Sequence, residues 1–267
     1  MVDTKNPCAQ YVPPKVWSPA TPSGGSFANI NRPVAGPTHT KELPVGKHPL
    51  QLYSLGTPNG QKVTIMLEEL LAAGHTGAEY DAWLIKINEG DQFGSGFVDI
   101  NPNSKIPALV DRSGPEPVRV FESGAILLYL ADKSGKLTPR PAAARYECLQ
   151  WVFFQVSGIG PMFGQLGFFH KFAGREWEDK RPRDRYVAET RRLLGVLEQR
   201  LASRAWIMGD QYSIADIAIF PMVRNLVGFY EARDLVHFDE LSNVPAWLER
   251  GLARPAVERG LQIPSRG

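Results

Sequence analysis

The order of hydrophobic patterns along this chain is the feature that most limits its fold. Between Pro49 and Gly135, patterns of period two and of period 3.6 follow one another in the order β-α-β-α-β-β-α. Beyond Gly135 the strand patterns stop, and long helical patterns follow at residues 143–156 and 183–201. This order predicts an α+β protein in which residues 49–135 form a small mixed sheet with covering helices and residues 136–267 form an all-helical domain.

The first 48 residues are predicted to form an extended arm rather than a domain. They contain eight of the 22 prolines and show little periodicity. Four apolar side chains are nevertheless interspersed in the arm, and their exposure to water would be unfavourable; they are Trp17, Phe27, Ile30 and Val34. We therefore expect residues 1–48 to lie along the globular body.

The charge and hydropathy of the chain exclude several classes of partner. The 30 basic and 28 acidic residues give a net charge of +2 and are spread along the sequence, so no basic face for nucleic acid is expected. No apolar run approaches the ~20 residues that span a bilayer. The first residues also lack the apolar core of a secretion signal. These observations predict a cytoplasmic protein that binds neither nucleic acid nor membrane.

The two cysteines, Cys8 and Cys148, belong to no C-x-x-C pair and to no cluster of metal ligands. No metal is therefore expected. Cys148 lies among apolar residues, where a small buried thiol is the favoured interpretation over a nucleophile.

A polar turn follows the first predicted strand. Residues 50–55 alternate in polarity, and Thr57-Pro58-Asn59-Gly60 then leads into a helix whose outer face is expected to hold Glu68 and Glu69. The Thr57 hydroxyl and the Asn59 amide can donate hydrogen bonds to an anion at the positive end of this helix. The turn is therefore a candidate anion site.

Two further motifs lie at strand ends. Ile106-Pro107 precedes a strand, where a cis proline would leave the Ile106 N–H and C=O free to pair with an extended peptide; a trans proline opening an edge strand is the alternative. Glu122-Ser123 opens a helix and offers a carboxylate for an ammonium group and a hydroxyl with free N–H groups for a carboxylate. Alternatively, Ser123 is only an N-cap and Glu122 a solvated acid. In this order, the three motifs fit a small zwitterionic peptide thiol such as glutathione.

These motifs resemble those of the cytosolic glutathione transferases. Longer segments, at residues 27–33, 46–49, 55–62 and 101–107, are similar to the bacterial nu class of that family. The resemblance implies a thioredoxin-like N-terminal domain, an all-helical C-terminal domain and a homodimer. It also implies glutathione as co-substrate, with up to two molecules in each subunit and no metal.

The resemblance implies nine glutathione contacts, with Asn31 and Thr57 near the second glutathione or the sulfurs and Arg185 reaching across the dimer interface. Gln155 stays outside this set, because the family's glutamine aligns either there or at Val156. The nine residues are Asn31, Thr57, Asn59, Gln92, Lys105, Ile106, Glu122, Ser123 and Arg185.

Two pairs of residues compete for the catalytic role. Classical transferases stabilise the thiolate with a Tyr, Ser or Cys near the end of the first strand, where this chain has Tyr53 and Ser54. Both lie inside the strand, so alternation should bury at least one of them. The nu-class resemblance implies Thr57 and Asn59 instead. Because no protein cysteine suits the role, the thiolate of bound glutathione would act as nucleophile in disulfide reduction, and a second glutathione would resolve the mixed disulfide.

Two alternatives to disulfide reduction remain open. Conjugation, organic hydroperoxide reduction or thioether glutathione-lyase activity would need a hydrophobic pocket in the helical domain, although core packing is the commoner role of such apolar side chains. A non-enzymatic binding module would keep the fold and drop the chemistry, but the presence of every proposed contact argues against it. The candidate pocket residues are Phe153, Phe154, Met162, Phe163, Phe168 and Phe169.

Overall fold

The part of the N-terminal arm from Thr38 to His48 lies along the sheet domain, whereas Val16 is exposed. The computed structural model describes residues 15–16, 30 and 35–264, so Cys8 and Asn31 lie outside the described residues. Backbone hydrogen bonds join the arm to the body, from Thr38 N–H to Phe93 O at 2.9 Å and from Ser95 N–H to His39 O at 2.9 Å.

Four strands form the predicted mixed sheet, in the spatial order β2-β1-β3-β4. β1 pairs in parallel with β2 and antiparallel with β3, and β3 and β4 form the predicted hairpin. All five residues of β1 are buried, because helices and the arm cover the two faces of the sheet. The strands are β1, Leu50–Ser54; β2, Tyr80–Leu84; β3, Ala108–Asp111; and β4, Val118–Phe121.

Three helices belong to the sheet domain: α1, Pro58–Ala72; α2, Ser95–Ile100; and α3, Ser123–Ser134. The observed order is the predicted β-α-β-α-β-β-α. The α+β prediction is confirmed. In the described chain, all four strands of the sheet precede α3, and the α-helices of the second domain follow it.

Six α-helices follow in the described part of the second domain: α4, Ala142–Phe154; α5, Gly160–His170; α6, Arg181–Leu201; α7, Ile214–Val227; α8, Asn243–Leu252; and α9, Pro255–Gly260. A π-helical turn, Gln155–Ile159, joins α4 and α5 into one continuous helix. The helical pattern predicted to stop at residue 156 therefore continues to His170. The Gly160 N–H donates to Gln155 O, five residues back, and this wider turn accommodates Pro161, which has no N–H to donate.

The continuous helix 142–170 corrects the expectation that no apolar segment is long enough to span a bilayer. By length and composition alone it meets the criteria for a membrane-spanning helix, with a mean hydropathy of 1.2 in its most apolar 18 residues. Core helices of globular proteins meet the same criteria. Here Cys148, Ile159 and Phe163 lie in the hydrophobic core.

One hydrophobic core joins the sheet domain to the helical domain, and α1 lies at its centre. Helix α9 packs so closely on α1 that a Cβ at Gly260 would lie 2.7 Å from the Ile65 backbone. The expectation that Glu68 and Glu69 face outward is wrong, because both are nearly buried beneath α9. Glu68 pairs with Arg259 at 2.8 Å, and Glu69 accepts two hydrogen bonds from Arg254 at 2.5 and 2.7 Å.

A capping box formed by Ser213 and Asp216 begins α7. The Ser213 N–H donates to Asp216 Oδ2 at 3.0 Å, and the Ser213 hydroxyl accepts from the Ala215 N–H at 3.2 Å. Asp216 also accepts hydrogen bonds from Ile207 N and Trp247 Nε1, both at 2.9 Å. Burial raises its pKa to about 6 despite these donors. This acid therefore joins three parts of the helical domain.

Candidate functional site

A cleft of about 2070 Å³ lies between the two domains. Ligand pockets are typically ~300–1,000 Å³, so this cleft has room for more than one small peptide. On the sheet side it is lined by the turn after β1, the loop around Gln92, residues 103–107 and the start of α3. On the helical side it is lined by Gln155, Phe163 and the segment 171–176, among others.

The turn after β1 presents donors to the cleft. Thr57 has extended backbone and is the N-cap of α1, where its Oγ1 accepts the Gly60 N–H at 3.4 Å. Since the hydroxyl acts there as acceptor, its proton remains available to an acceptor in the cleft. Pro58 has no N–H, and the Asn59 N–H has no hydrogen-bond partner in the described chain. The positive end of α1 therefore faces the cleft with one hydroxyl and one unpaired backbone donor.

The Ile106–Pro107 peptide bond is cis, which is the first of the two alternatives that the sequence left open. Asn101 shapes the preceding loop, donating to Lys105 O at 2.6 Å and accepting from the Asn103 N–H at 2.9 Å. Within the described residues, the Ile106 N–H and C=O make no hydrogen bond, and Ile106 lines the cleft. This backbone is therefore placed to pair with an extended peptide.

Glu122 and Ser123 line the sheet side of the cleft beside the turn at Asn59. Glu122 is the N-cap of α3, with a φ of 69° that non-glycine residues rarely adopt, and its side chain is exposed. Ser123 is the first helical residue, so it is not the N-cap that the alternative interpretation required. The first N–H groups of α3 and the Ser123 hydroxyl lie at the positive end of this helix, where an anion is favoured.

Gln92 and Lys105 complete the sheet side of the cleft. Gln92 is 1% exposed; its Nε2 donates to Ile87 O at 3.1 Å, while its buried Oε1 has no partner in the described chain. An orphaned buried acceptor beside a cleft favours a ligand that donates to it. Lys105 Nζ donates to Ile30 O at 3.2 Å, so this lysine joins the arm to the edge of the cleft.

A buried lysine that sequence reasoning missed lies beneath these groups. Lys62, on α1, is 1% exposed, and its Nζ donates to Asn59 Oδ1 at 2.8 Å, to Ser123 Oγ at 3.2 Å and to Gln155 Oε1 at 2.6 Å. Burial lowers the pKa of Lys62 to about 7, against the opposing effect of the Glu122 carboxylate. The available signal was its spacing of three residues from Asn59, which places both side chains on one face of α1.

Tyr53 and Ser54 are excluded as thiol activators in this geometry. Both side chains are buried in β1, at 1% and 0% exposure, and neither lines the cleft. The Tyr53 hydroxyl donates to Pro44 O at 2.8 Å, and burial raises its pKa. The sequence expectation that at least one of the two is buried is confirmed.

Cys148 and Arg185 also lie outside the cleft. The Cys148 thiol is fully buried, as predicted, and contacts Ser213 Oγ at 3.7 Å; burial raises its pKa. Arg185 projects from α6, with 66% of its side chain exposed, and lies 3.8 Å from Glu189. Within this chain, Arg185 does not reach the cleft.

The aromatic prediction holds for only two of its six residues. Phe163 and Phe168 line the cleft, whereas the other four do not; Phe153, for example, is 62% exposed on the outside of α4. The apolar end of the cleft is instead completed by residues downstream of the predicted segment: Phe172, Met222, Phe229 and Tyr230.

Comparisons with known proteins agree with this geometry. Residues 48–132 match the family model for the N-terminal domain of glutathione S-transferase, and residues 182–250 match the model for its C-terminal domain. The chain is 55% identical over 252 residues to the disulfide-bond oxidoreductase YghU of Escherichia coli (strain K12), covering 94% of this chain and 87% of that protein.

Two solved structures extend the likeness. A glutathione transferase from Burkholderia graminis, with two glutathione molecules bound per subunit, is 64% identical with a TM-score of 0.78, covering 82% of this chain and 89% of that one. Glutathione transferase YghU from Streptococcus pneumoniae ATCC 700669, complexed with glutathione, is 44% identical with a TM-score of 0.90, covering 95% of this chain and 98% of that one.

Proposed function

This chain belongs to the glutathione transferase family, and from that premise we propose that it reduces small disulfides with glutathione. The observation that supports this best is the turn at Thr57, where a hydroxyl, an unpaired N–H and a helix positive end face the cleft. Cys148 is buried away from that cleft. Cys8 lies outside the described residues and belongs to no redox motif in the sequence, so we assign the role of nucleophile to the thiol of a bound peptide. The name of the Escherichia coli relative, a disulfide-bond oxidoreductase, supports the same assignment.

The reaction is two successive thiol–disulfide exchanges. The thiolate of bound glutathione attacks one sulfur of the substrate, the substrate S–S bond breaks, and the leaving thiolate takes up a proton as a mixed disulfide forms. A second glutathione thiolate then attacks the glutathione sulfur of that mixed disulfide and releases the other substrate thiol. One disulfide is reduced to two thiols, and two glutathione molecules are oxidised to glutathione disulfide.

Thr57 and Asn59 are the catalytic residues in this scheme. The Thr57 hydroxyl and the Asn59 N–H donate to the glutathione sulfur and favour its thiolate, aided by the dipole of α1. Each unit by which they lower the pKa of the thiol corresponds to about 1.4 kcal/mol and raises the thiolate fraction nearly tenfold near neutral pH.

The remaining contacts hold the peptide. Glu122 binds the γ-glutamyl ammonium group, and the Ser123 hydroxyl with the first N–H groups of α3 binds the γ-glutamyl carboxylate. The Ile106 backbone pairs with the cysteine segment of glutathione as a short strand. Gln92, through its unpartnered Oε1, and Lys105, at the edge of the cleft, complete the site.

We also propose a cytoplasmic homodimer with two glutathione positions in each subunit. The cleft volume of about 2070 Å³ and the two glutathione molecules in the Burkholderia graminis relative support the second position, to which Asn31 would contribute. Arg185 is exposed outside its own cleft, which suits a residue that reaches the partner's glutathione. The proposed parts of the chain are the arm 1–48, the glutathione-binding domain 49–135 and the helical domain 136–267.

The aromatic end of the cleft favours a second candidate function. Phe163, Phe168, Phe172, Phe229 and Tyr230 can bind an apolar electrophile. Conjugation, hydroperoxide reduction or thioether cleavage would use the same activated glutathione.

The test is steady-state reduction of a small dialkyl disulfide by glutathione, coupled to NADPH consumption through glutathione reductase. We expect turnover in the parent protein and in a variant lacking both cysteines, Cys8→Ser with Cys148→Ala. Glutathione binding without disulfide turnover, together with conjugation of an aromatic electrophile, would instead assign the second function. Loss of turnover in a folded cysteine-free variant would show that a protein thiol takes part.

A further inference from the structure

Lys62 is a buried cation that the proposed reaction does not use. Its three hydrogen-bond acceptors come from three places: Asn59 in the first turn of α1, Ser123 at the start of α3 and Gln155 in the π-helical turn of the helical domain. An ammonium group has three protons to donate, so this arrangement uses all of them. The lysine therefore lies where the first turn of α1 and the start of α3, both parts of the proposed glutathione site, meet the helical domain.

The chemistry of Lys62 sets the orientation of its neighbours. An ammonium group can only donate, so the amide atoms that face it must be the oxygens of Asn59 and Gln155. The NH₂ groups of both residues consequently point away from Lys62, and both residues line the cleft. The Ser123 oxygen likewise accepts from Lys62, and the Ser123 hydroxyl donates to the same Asn59 Oδ1 at a long 3.4 Å.

No carboxylate compensates the charge of Lys62 by direct contact. Within the described residues it forms no ion pair, and its three partners are neutral. Burying a charge without a directly bonded counter-ion is unfavourable. The Glu122 carboxylate offsets part of that cost without direct contact, and a bound anion would relieve it further. Burial lowers the pKa of Lys62 to about 7, a shift that an anion bound nearby would oppose.

We propose that Lys62 is a positioning residue for anion recognition, which orients Asn59 and Ser123 and provides the buried positive charge that the γ-glutamyl carboxylate of glutathione neutralises. This inference rests on the proposed function, because it requires glutathione in this cleft. In this proposal Lys62 touches none of the reacting atoms, and it acts through Asn59, through Ser123 and through its positive charge.

The test measures the dissociation constants of two non-reactive ligands by calorimetry. One is S-methylglutathione, and the other is its analogue that lacks the γ-glutamyl α-carboxylate. For the parent protein we expect a preference of at least about tenfold for the ligand with the carboxylate, as for a hydrogen bond to a charged group. In Lys62→Met we expect that preference to fall to about threefold or less, because the charge and its donors are gone.

Thr64→Val is the matched control. Thr64 lies on the same helix, is fully buried, and donates to Gly260 O rather than towards the cleft. It should lower the thermal midpoint and leave the ligand preference at the parental value. Lys62→Gln, which keeps donors without the charge, repeats the test if Lys62→Met fails to fold.

An unchanged preference in Lys62→Met or Lys62→Gln would overturn the proposal, including the case in which both ligands weaken equally. A parent protein without any preference for the carboxylate would also overturn it. Because neither ligand has a free thiol, a failure of disulfide turnover does not affect this test. Failure of the parent to bind S-methylglutathione would overturn both the proposed function and this inference.

Discussion

Replacement of Thr57 by valine removes the hydroxyl that we place against the glutathione sulfur while it keeps the shape of the side chain. The same hydroxyl caps α1, but its contact with the Gly60 N–H is long, at 3.4 Å. We therefore expect the lost cap to reduce the free energy of unfolding by only ~0.5–1 kcal/mol. A hydrogen bond to a charged group contributes ~1.5–3 kcal/mol, which corresponds to a rise of ~1–2 units in the pKa of the bound thiol.

The pKa of the bound thiol is measured from the ultraviolet absorbance of the thiolate as pH is varied, and the disulfide turnover is measured in parallel. At neutral pH, kcat/KM of Thr57→Val should fall ~10–100-fold, in proportion to the lost thiolate. Because the deficit lies in the thiolate fraction, the rate should recover as pH rises through the new pKa of the thiol. Thr57→Ser keeps the hydroxyl and should stay within about threefold of the parent.

Ser213→Ala is the control for the lost cap. It removes an N-cap hydroxyl at the start of α7, away from the cleft, and should cost ~1 kcal/mol of stability without changing the pKa of the bound thiol. If Thr57→Val binds glutathione with the parental thiol pKa, the hydroxyl does not activate the sulfur and our reasoning about the turn is wrong.

Three further predictions concern packing and charge near the cleft. Gly60→Ala should abolish glutathione binding and cost more than ~2 kcal/mol of stability, because its Cβ would overlap Leu55 O in the turn that holds the catalytic hydroxyl. The control Gly195→Ala, with open space on α6, should stabilise the protein by ~0.5–1 kcal/mol. Calorimetry measures glutathione binding by both variants, and urea unfolding measures their stability. Tyr53→Phe should lose ~1 kcal/mol of stability and keep kcat/KM within about twofold, since its hydroxyl donates only to the arm; a large loss of rate would restore it as a catalytic candidate. The pKa of Lys62 is about 7 in the folded protein and 10.5 in the reference state, so between these pH values the unfolded chain binds more protons and stability should rise with pH. From about pH 7 to about pH 9, the urea midpoint of the parent should therefore increase relative to that of Lys62→Met. An unchanged difference between the two midpoints would contradict the lowered pKa.

The features predicted correctly from the sequence are those whose chemistry is local. The turn at Thr57 that leads into α1 and the proline that opens β3 each involve residues within a few positions, so the pattern contains all the partners. The order of strands and helices along the sheet domain was predictable for the same reason, because alternation and turn residues lie side by side in the chain.

The errors have long-range causes. Glu68 and Glu69 look like the solvent face of an amphipathic helix, but α9 arrives from 185 or more residues away and supplies an arginine to each. The helical pattern predicted at residues 143–156 does not end there, because the π-helical turn at Gln155–Ile159 continues the helix and accommodates Pro161, which has no N–H to donate.

Lys62 illustrates why the site itself was only partly predictable. A lysine on a helix is expected to extend into solvent, but Lys62 is buried where Ser123 and Gln155, 61 and 93 residues later, approach it. The fold tolerates this buried charge because three oxygens surround it, two of them on residues independently assigned to glutathione binding. If Lys62 served stability alone, an apolar side chain of similar volume would stabilise the fold more, because it removes the cost of burying a charge. Methionine at this position could not orient Asn59 and Ser123 by hydrogen bonds. The informative measurement on Lys62 is therefore the preference for the ligand that carries the γ-glutamyl carboxylate.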